Sequence, residues 1–291
     1  VRSGNASGIT DSGTLTVGGA LFATTDANNG LINLNQLAVD MGINLSTHGT
    51  GNATAINDAG FKFGNVGSTV GGNLSVTATT GNIFDNNDGS VTIVGTSSFT
   101  TSANNATITL DDTDHSFTGA VTITTNDDSG TDAHVYIDGG TTALVIATST
   151  IDGDLELASG HASGITDSGT VTVGGNLAAT TDANNGVINL GTLAVDGTVQ
   201  LTTNGTGNAT VVNDAGLNFA ASTVGGNLAA TATTGNMTDS GALAITGTTT
   251  LTTSANNATI ALDTTTNAFT GAVTITTNDD SGTDAHVYID G

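Results

Sequence analysis

The sequence predicts an all-β fold, a parallel β-solenoid, on three observations: long internal repetition, apolar and polar residues alternating at period two, and a strong bias toward strand and turn residue types. Repetition is the strongest. The segment FTGAVTITTNDDSGTDAHVYIDG, Phe117 to Gly139, returns unchanged from Phe269 to Gly291. Ser3 to Gly13 returns as Ser159 to Gly169 with one change, at an offset of 156 that shortens to 154 at Val70 and Val224 and to 152 at Phe117 and Phe269. The second copy has therefore lost four residues in two places, which suits loops. The expected organisation is one repeat unit over 1–156 and a second, incomplete one over 157–291.

A finer period lies within the large one. Thr-Thr-x-Ala-Asn-Asn occurs at Thr24, Thr100, Thr180 and Thr252, at spacings of 76, 80 and 72, so each large unit holds two related halves. Divided into four, a half-unit gives pieces of about 19 residues, the length of one solenoid coil, and about 15 coils for the chain. At about 4.8 Å per stacked strand that is a rod on the order of 70 Å long. Val1 aligns with Leu157 and Gly291 with Gly139, so the chain is expected to be an excerpt of a longer array.

The strands follow from composition. Of 291 residues, 59 are Thr and 41 Gly, with no Pro and no Cys. Thr, Val and Ile suit a pleated, half-buried surface, and Gly, Asn and Asp supply turns. Runs such as Ala120-Val121-Thr122-Ile123-Thr124 and Thr107-Ile108-Thr109-Leu110 alternate as a strand with one buried face does. With aromatic residues at only 3%, the expected core is thin and made of Val, Ile, Leu and Ala, which suits a solenoid better than a string of β-sandwiches about 10 Å thick.

Charge limits function. Only Arg2 and Lys62 are basic, against 26 acidic residues, giving a net charge of −24. Nucleic acid and direct membrane insertion are not expected, since the first needs clustered Lys and Arg and the second a long apolar run. Catalysis is not expected either: β-helices that cleave acidic polysaccharides hold their substrate with basic residues, and no Asp pair stands out from the turn background. No catalytic or cofactor-binding residue is assigned, and no cofactor is required.

Two features keep a claim to binding. Asp127, Asp128 and Asp132, repeated as Asp279, Asp280 and Asp284, gather in a Gly-containing loop whose carboxylates suit calcium. His134, Tyr136 and Asp138, repeated as His286, Tyr288 and Asp290, alternate with Val135 and Ile137 and are expected in a row on the outer face, a stripe suited to stacking of a sugar ring on Tyr. The bland readings are solvated turns and a plain exposed strand. Thr-x-Thr pairs such as Thr122/Thr124 raise ice binding, but they do not recur coil by coil. His48, His115 and His161 have Asn204, Asn267 and Asn5 as counterparts, which argues against a histidine metal site.

The phrases Val70-Gly71-Gly72-Asn73-Leu74-Ser75-Val76-Thr77-Ala78, Ser240-Gly241-Ala242-Leu243-Ala244-Ile245-Thr246-Gly247 and Phe117-Thr118-Gly119-Ala120-Val121-Thr122-Ile123 resemble those of the bacterial filamentous-haemagglutinin-like and related β-strand-repeat surface proteins. The resemblance is one of style and composition across nearly the whole chain. It implies a right-handed parallel β-helix, export to the surface of a Gram-negative cell, and a structural part in a fibre, adhesin or biofilm matrix. It brings no catalytic residues. The expected partners are further coils of the same kind, joined end to end into a filament, and host or environmental surfaces or glycans; the alternative is a module binding calcium, glycan or ice on one face.

Overall fold

The computed structural model describes residues 1–85, 89–126, 132–278 and 285–291, and every regular element in them is a β-strand. The chain divides into two units, Val1–Gly153 and Asp154–Gly291, and each is a β-solenoid of strands paired in parallel.

One coil of the first unit shows how the sequence makes the fold. Leu74–Ala78 lies in one wall, Ile83–Phe84 and Val91–Ile93 in the opposite wall, and Ser97–Asn104 returns to the first. Leu74 pairs with Ala53 in the coil before and Ser97 in the coil after. Leu74, Val76 and Ala78 are buried while Ser75 and Thr77 are half-buried, so the period-two alternation read from the sequence is the alternation between core and solvent. Hydrogen bonds between coils keep like positions level: Ile83 pairs with Phe61 and Ile108, and Ile108 with Val135. The second unit repeats this with Leu217, Met237, Ile260 and Val287 in one column.

Coils have two sides or three. Gly42–Ser46 pairs both with Phe61–Phe63, through Ile43 and Phe63, and with Ser68–Val70, through Ser46 and Thr69. One straight strand thus becomes two short strands with a corner at Gly64 to Gly67. Thr198–Thr202 divides in the same way onto Leu217–Phe219 and Ser222–Val224. The second copy's missing residues fall at this corner and between the strands equivalent to Ile83–Phe84 and Val91–Ile93, where a loss leaves strand register intact.

The coil is longer than the sequence suggested. Paired positions lie 19 to 27 residues apart, as in Ala209 with Leu228 and Ile108 with Val135. The chain makes about 12 turns of about 22 residues, not about 15 of about 19. The error came from dividing a half-unit into a whole number of coils. A spacing of 76 residues is about three and a half coils. Accordingly Thr24–Thr25 stands in Leu21–Thr25 on one wall and Thr100–Thr101 in Ser97–Asn104 on the other; in the second unit Leu177–Thr181 and Thr249–Asn256 stand on opposite walls likewise. The large repeat, near 154 residues, is about seven coils.

The core corrects a second expectation. It is mostly small aliphatic residues, but five of the eight Phe are fully buried. Phe61, Phe63, Phe99 and Phe117 form a column with edge-on ring contacts of 5.0, 6.3 and 5.9 Å. In the second unit Leu217 and Leu251 stand in place of Phe61 and Phe99, while Phe219 keeps the place of Phe63.

The twice-written segment separates sequence from stacking. Val121, Ile123 and Val135 are 0%, 0% and 3% exposed, whereas Val273, Ile275 and Val287 in the identical segment are 38%, 39% and 44% exposed. The first is covered by another coil, with Val121 beside Ile146 and Thr124 beside Thr150. Burial here is supplied by the adjacent coil. Ile123→Ala should therefore lower the unfolding free energy by about 2–5 kcal/mol, and Ile275→Ala by a small fraction of that, in urea titrations of the two variants.

Candidate functional site

The described residues among those singled out from sequence do not form a metal-holding group. Asp127, Asp128, Asp279, Asp280 and Asp284 lie outside the described residues. Asp132 is exposed, and its N–H donates to Asp152 Oδ2 at 3.2 Å, as the Ala133 N–H does at 3.4 Å. Among the described residues no group of three or more Asp, Glu or His is placed to hold a metal.

The outer stripe is broken. His134 is exposed and Tyr136 half-buried, but Asp138 is buried and its Oδ1 accepts the Gly140 N–H at 2.7 Å. The expectation of three residues in one outward row fails at Asp138 because it ends the strand, where the chain turns and a buried N–H needs an acceptor. In the second copy His286 and Tyr288 are exposed and Asp290 half-buried.

What the structure concentrates instead is polar chemistry at the coil corners. Thr25, Thr101, Thr181 and Thr253, the second Thr of each Thr-Thr-x-Ala-Asn-Asn motif, are buried, and each Oγ1 donates to the carbonyl five residues on, at 2.7, 3.2, 2.8 and 3.3 Å. The last Asn of each motif has a positive φ: Asn29, Asn105, Asn185 and Asn257 lie between 53° and 61°. Asn tolerates this left-handed turn at low cost. The motif is a corner with a hydroxyl lock.

Asparagines also tie coil to coil. Asn52 Oδ1 accepts the Asn73 N–H at 2.8 Å, and Asn73 Oδ1 accepts the Thr96 N–H at 2.9 Å. Asn208, Asn227 and Thr248 repeat the ladder, each bond at 2.8 Å. In the Val-Gly-Gly-Asn-Leu phrase a Cβ on Gly71 would land on the Gly49 carbonyl oxygen, and one on Gly225 would land on that of Gly205. The coils approach too closely there for any side chain.

Sequence reading missed the most buried of these groups. Asn57 is fully buried: its Nδ2 donates to the Val39 and Gly60 carbonyls at 3.1 and 2.7 Å, and its Oδ1 accepts the Val39 N–H at 2.9 Å. Asn213 makes the same three bonds to Val195 and Gly216. The available signal was the phrase Asn-Asp-Ala-Gly, at 57–60 and again at 213–216.

The densest titratable cluster is around His115 in the first unit. Its Nδ1 accepts the Val91 N–H at 3.0 Å and its Nε2 lies 2.6 Å from Asp85 Oδ2. Both side chains are buried. The Asp112 N–H donates to the same Asp85 oxygen at 3.2 Å. Burial pushes the Asp85 carboxyl upward, but the His115 ring, by hydrogen bond and charge, together with backbone N–H groups of Asp112 and Asp111, holds it below the ordinary value. Asp111 is raised, by burial and by the charge of Asp85. In the second unit the geometry recurs without histidine: Asn267 Oδ1 accepts the Leu243 N–H at 2.8 Å and its Nδ2 donates to Asp239 Oδ2 at 2.7 Å.

These corners support stacking. A protein-family model described as repeats of unknown function (DUF5649) matches residues 50–124 and 206–276, which are equivalent stretches of the two copies and just over half of the chain. No curated protein and no solved structure matches.

Two outcomes follow from the corner geometry. Asn57→Ala strands three backbone groups at about 1–3 kcal/mol each before relaxation and should lower the urea-unfolding free energy by about 2–4 kcal/mol. Asn57→Asp should not restore it, since a carboxylate cannot donate to two carbonyls. For Asp85, the unfolded chain takes up its proton near pH 3.8 and the native chain only at lower pH. The stability it contributes is thus full at neutral pH and lost as pH falls through that range, and Asp85→Asn should flatten the acid limb of a melting-temperature profile.

Proposed function

This chain belongs to the DUF5649 family of repeats, and from that premise we propose that it is a structural segment of a long extracellular bacterial fibre or adhesin. The observation that carries the reading is the level stacking of coil on coil: Leu74 pairs in parallel with Ala53 in the coil before and Ser97 in the coil after, and Ile83 with Phe61 and Ile108. A coil is complete only when another lies on it. A segment of this kind gives reach and stiffness through backbone hydrogen bonds repeated at each rung, and any copy serves as well as any other.

Surface display on a Gram-negative cell is supported by the resemblance to filamentous-haemagglutinin-like repeats. The absence of Cys and the acidic composition are compatible with it. The role is non-enzymatic and needs no cofactor; the conserved chemistry of the corners between the two copies goes into backbone hydrogen bonds. Self-association, by stacking of further coils of the same kind, is the expected partnership.

Electron microscopy of the native material should show rods or fibres a few nanometres wide; globular particles would overturn the reading. Thermal melting with millimolar calcium and with chelator addresses the competing view of the acidic loops as a calcium module. The structural reading expects the two melting temperatures to coincide, and a clear rise with calcium favours the binding module.

A further inference from the structure

The two units solve one hydrogen-bonding problem with different chemistry. At position 115 of the first and its equivalent 267 of the second, a side chain must accept a backbone N–H from one coil and donate to a buried carboxylate. Asn267 does this with an amide, which has no proton to gain near neutral pH. His115 does it with an imidazole, and only as the neutral form protonated at Nε2, because Nδ1 must present a lone pair to the Val91 N–H. The same δ-position equivalence recurs on the surface, where His161 Nδ1 accepts the Ser163 N–H at 3.0 Å and Asn5 Oδ1 accepts the Ser7 N–H at 2.8 Å. Histidine and asparagine are thus interchangeable here as acceptors, and differ in that one titrates.

We propose that His115 is a proton-sensitive latch: on acidification a second ring proton, taken from solvent at Nδ1, breaks the bond to the Val91 N–H and loosens the start of the Val91–Ile93 strand, while the equivalent corner at Asn267 and Leu243 does not respond. After proton uptake two N–H groups face each other across 3.0 Å, and one must turn away. The other ring nitrogen keeps its partner, since Nε2–H still points at Asp85 and the pair becomes ionic. The surroundings supply negative charge for that step. Asp85 faces the ring from the preceding coil, Asp111 and Asp112 adjoin Asp85 from the loop that leads into His115, and Asp114, next to His115 in that loop, gives its backbone N–H to Asp112 Oδ1. From within the coil the Phe117 ring packs at 5.8 Å, and in the following coil the Asp138 carboxylate is engaged with the Gly140 N–H. Proton uptake therefore exchanges one inter-coil backbone bond for a stronger ion pair. The effect is local opening of one rung rather than unfolding.

The test is amide hydrogen exchange by NMR on the whole chain, with the His115 ring shift followed in the same samples from about pH 7.5 to about pH 5. Leu243 serves as an internal control for Val91 and His115→Asn as the engineered one; because the second unit already carries Asn at this place, the variant is expected to fold. Relative to Leu243, the protection factor at Val91 should fall about tenfold as His115 titrates in the wild type, the size of one lost hydrogen bond, and stay level in the variant. If Val91 tracks Leu243 across the whole range in the wild type, whether or not the ring titrates, the latch does not exist. Fibre formation is not read by this experiment, so its failure leaves the structural role untouched.

Discussion

Everything in this structure depends on the parallel hydrogen-bonding of one coil to the next. A single coil has two or three strands of two to eight residues, too few to bury its own apolar side chains or to pair its own backbone. Laid on a neighbour in register it does both at once, and the constraint acts on each residue type separately. Inward positions must meet apolar residues above, below and across the core, as Phe99 does with Val76 and Ile123 in its own wall and with the Phe63 and Phe117 rings from the other. Corner positions must be free of Cβ where the backbones touch, as at Gly71 and Gly225. Groups left over at the corners must find acceptors in the adjacent rung, which is the task of Asn52, Asn73, Asn57 and His115. Asp138, a candidate for binding from the sequence, is consumed by this requirement. Asp138 and Asp152 are acidic residues occupied with backbone N–H groups.

The wall strands were legible in the sequence because their signal is local. Alternation in Val121-Thr122-Ile123 names the buried side chains directly, and Leu74 to Ala78 does the same. Coil length was not, since nothing in a half-unit of 76 residues states that it ends on the opposite wall; only the pairing of Thr24 and Thr100 with different sheets reveals it. The aromatic column was hidden for a related reason. Phe61, Phe99 and Phe117 are far apart in the chain, and a low overall aromatic content carries no information on whether the few rings meet. The corner asparagines were visible as turn residues, but their side-chain bonds run to residues about 20 positions away, a distance fixed only once the coil length is known. The outward stripe failed at Asp138 because strand alternation stops where the strand stops.

The exchange of His for Asn between copies shows what is under constraint at a corner. At 115 and 267, and at 161 and 5, a hydrogen-bond acceptor is held at one point relative to a backbone N–H while the rest of the side chain changes size and acid–base character. Sequence comparison of the copies reads such a pair as the loss of a histidine. In terms of the bonds formed, nothing is lost.

The half-unit of about three and a half coils gives the array a parity. One phrase carries the chain from one wall to its opposite, and two carry it back, as Thr24 and Thr100 do in the first unit and Thr180 and Thr252 in the second. Lengthening the chain by an even number of phrases leaves each motif on its own wall. An odd number would exchange the walls, setting a corner built for one contour against the other. A change of length by two phrases thus keeps each motif on its wall, and a change by one does not.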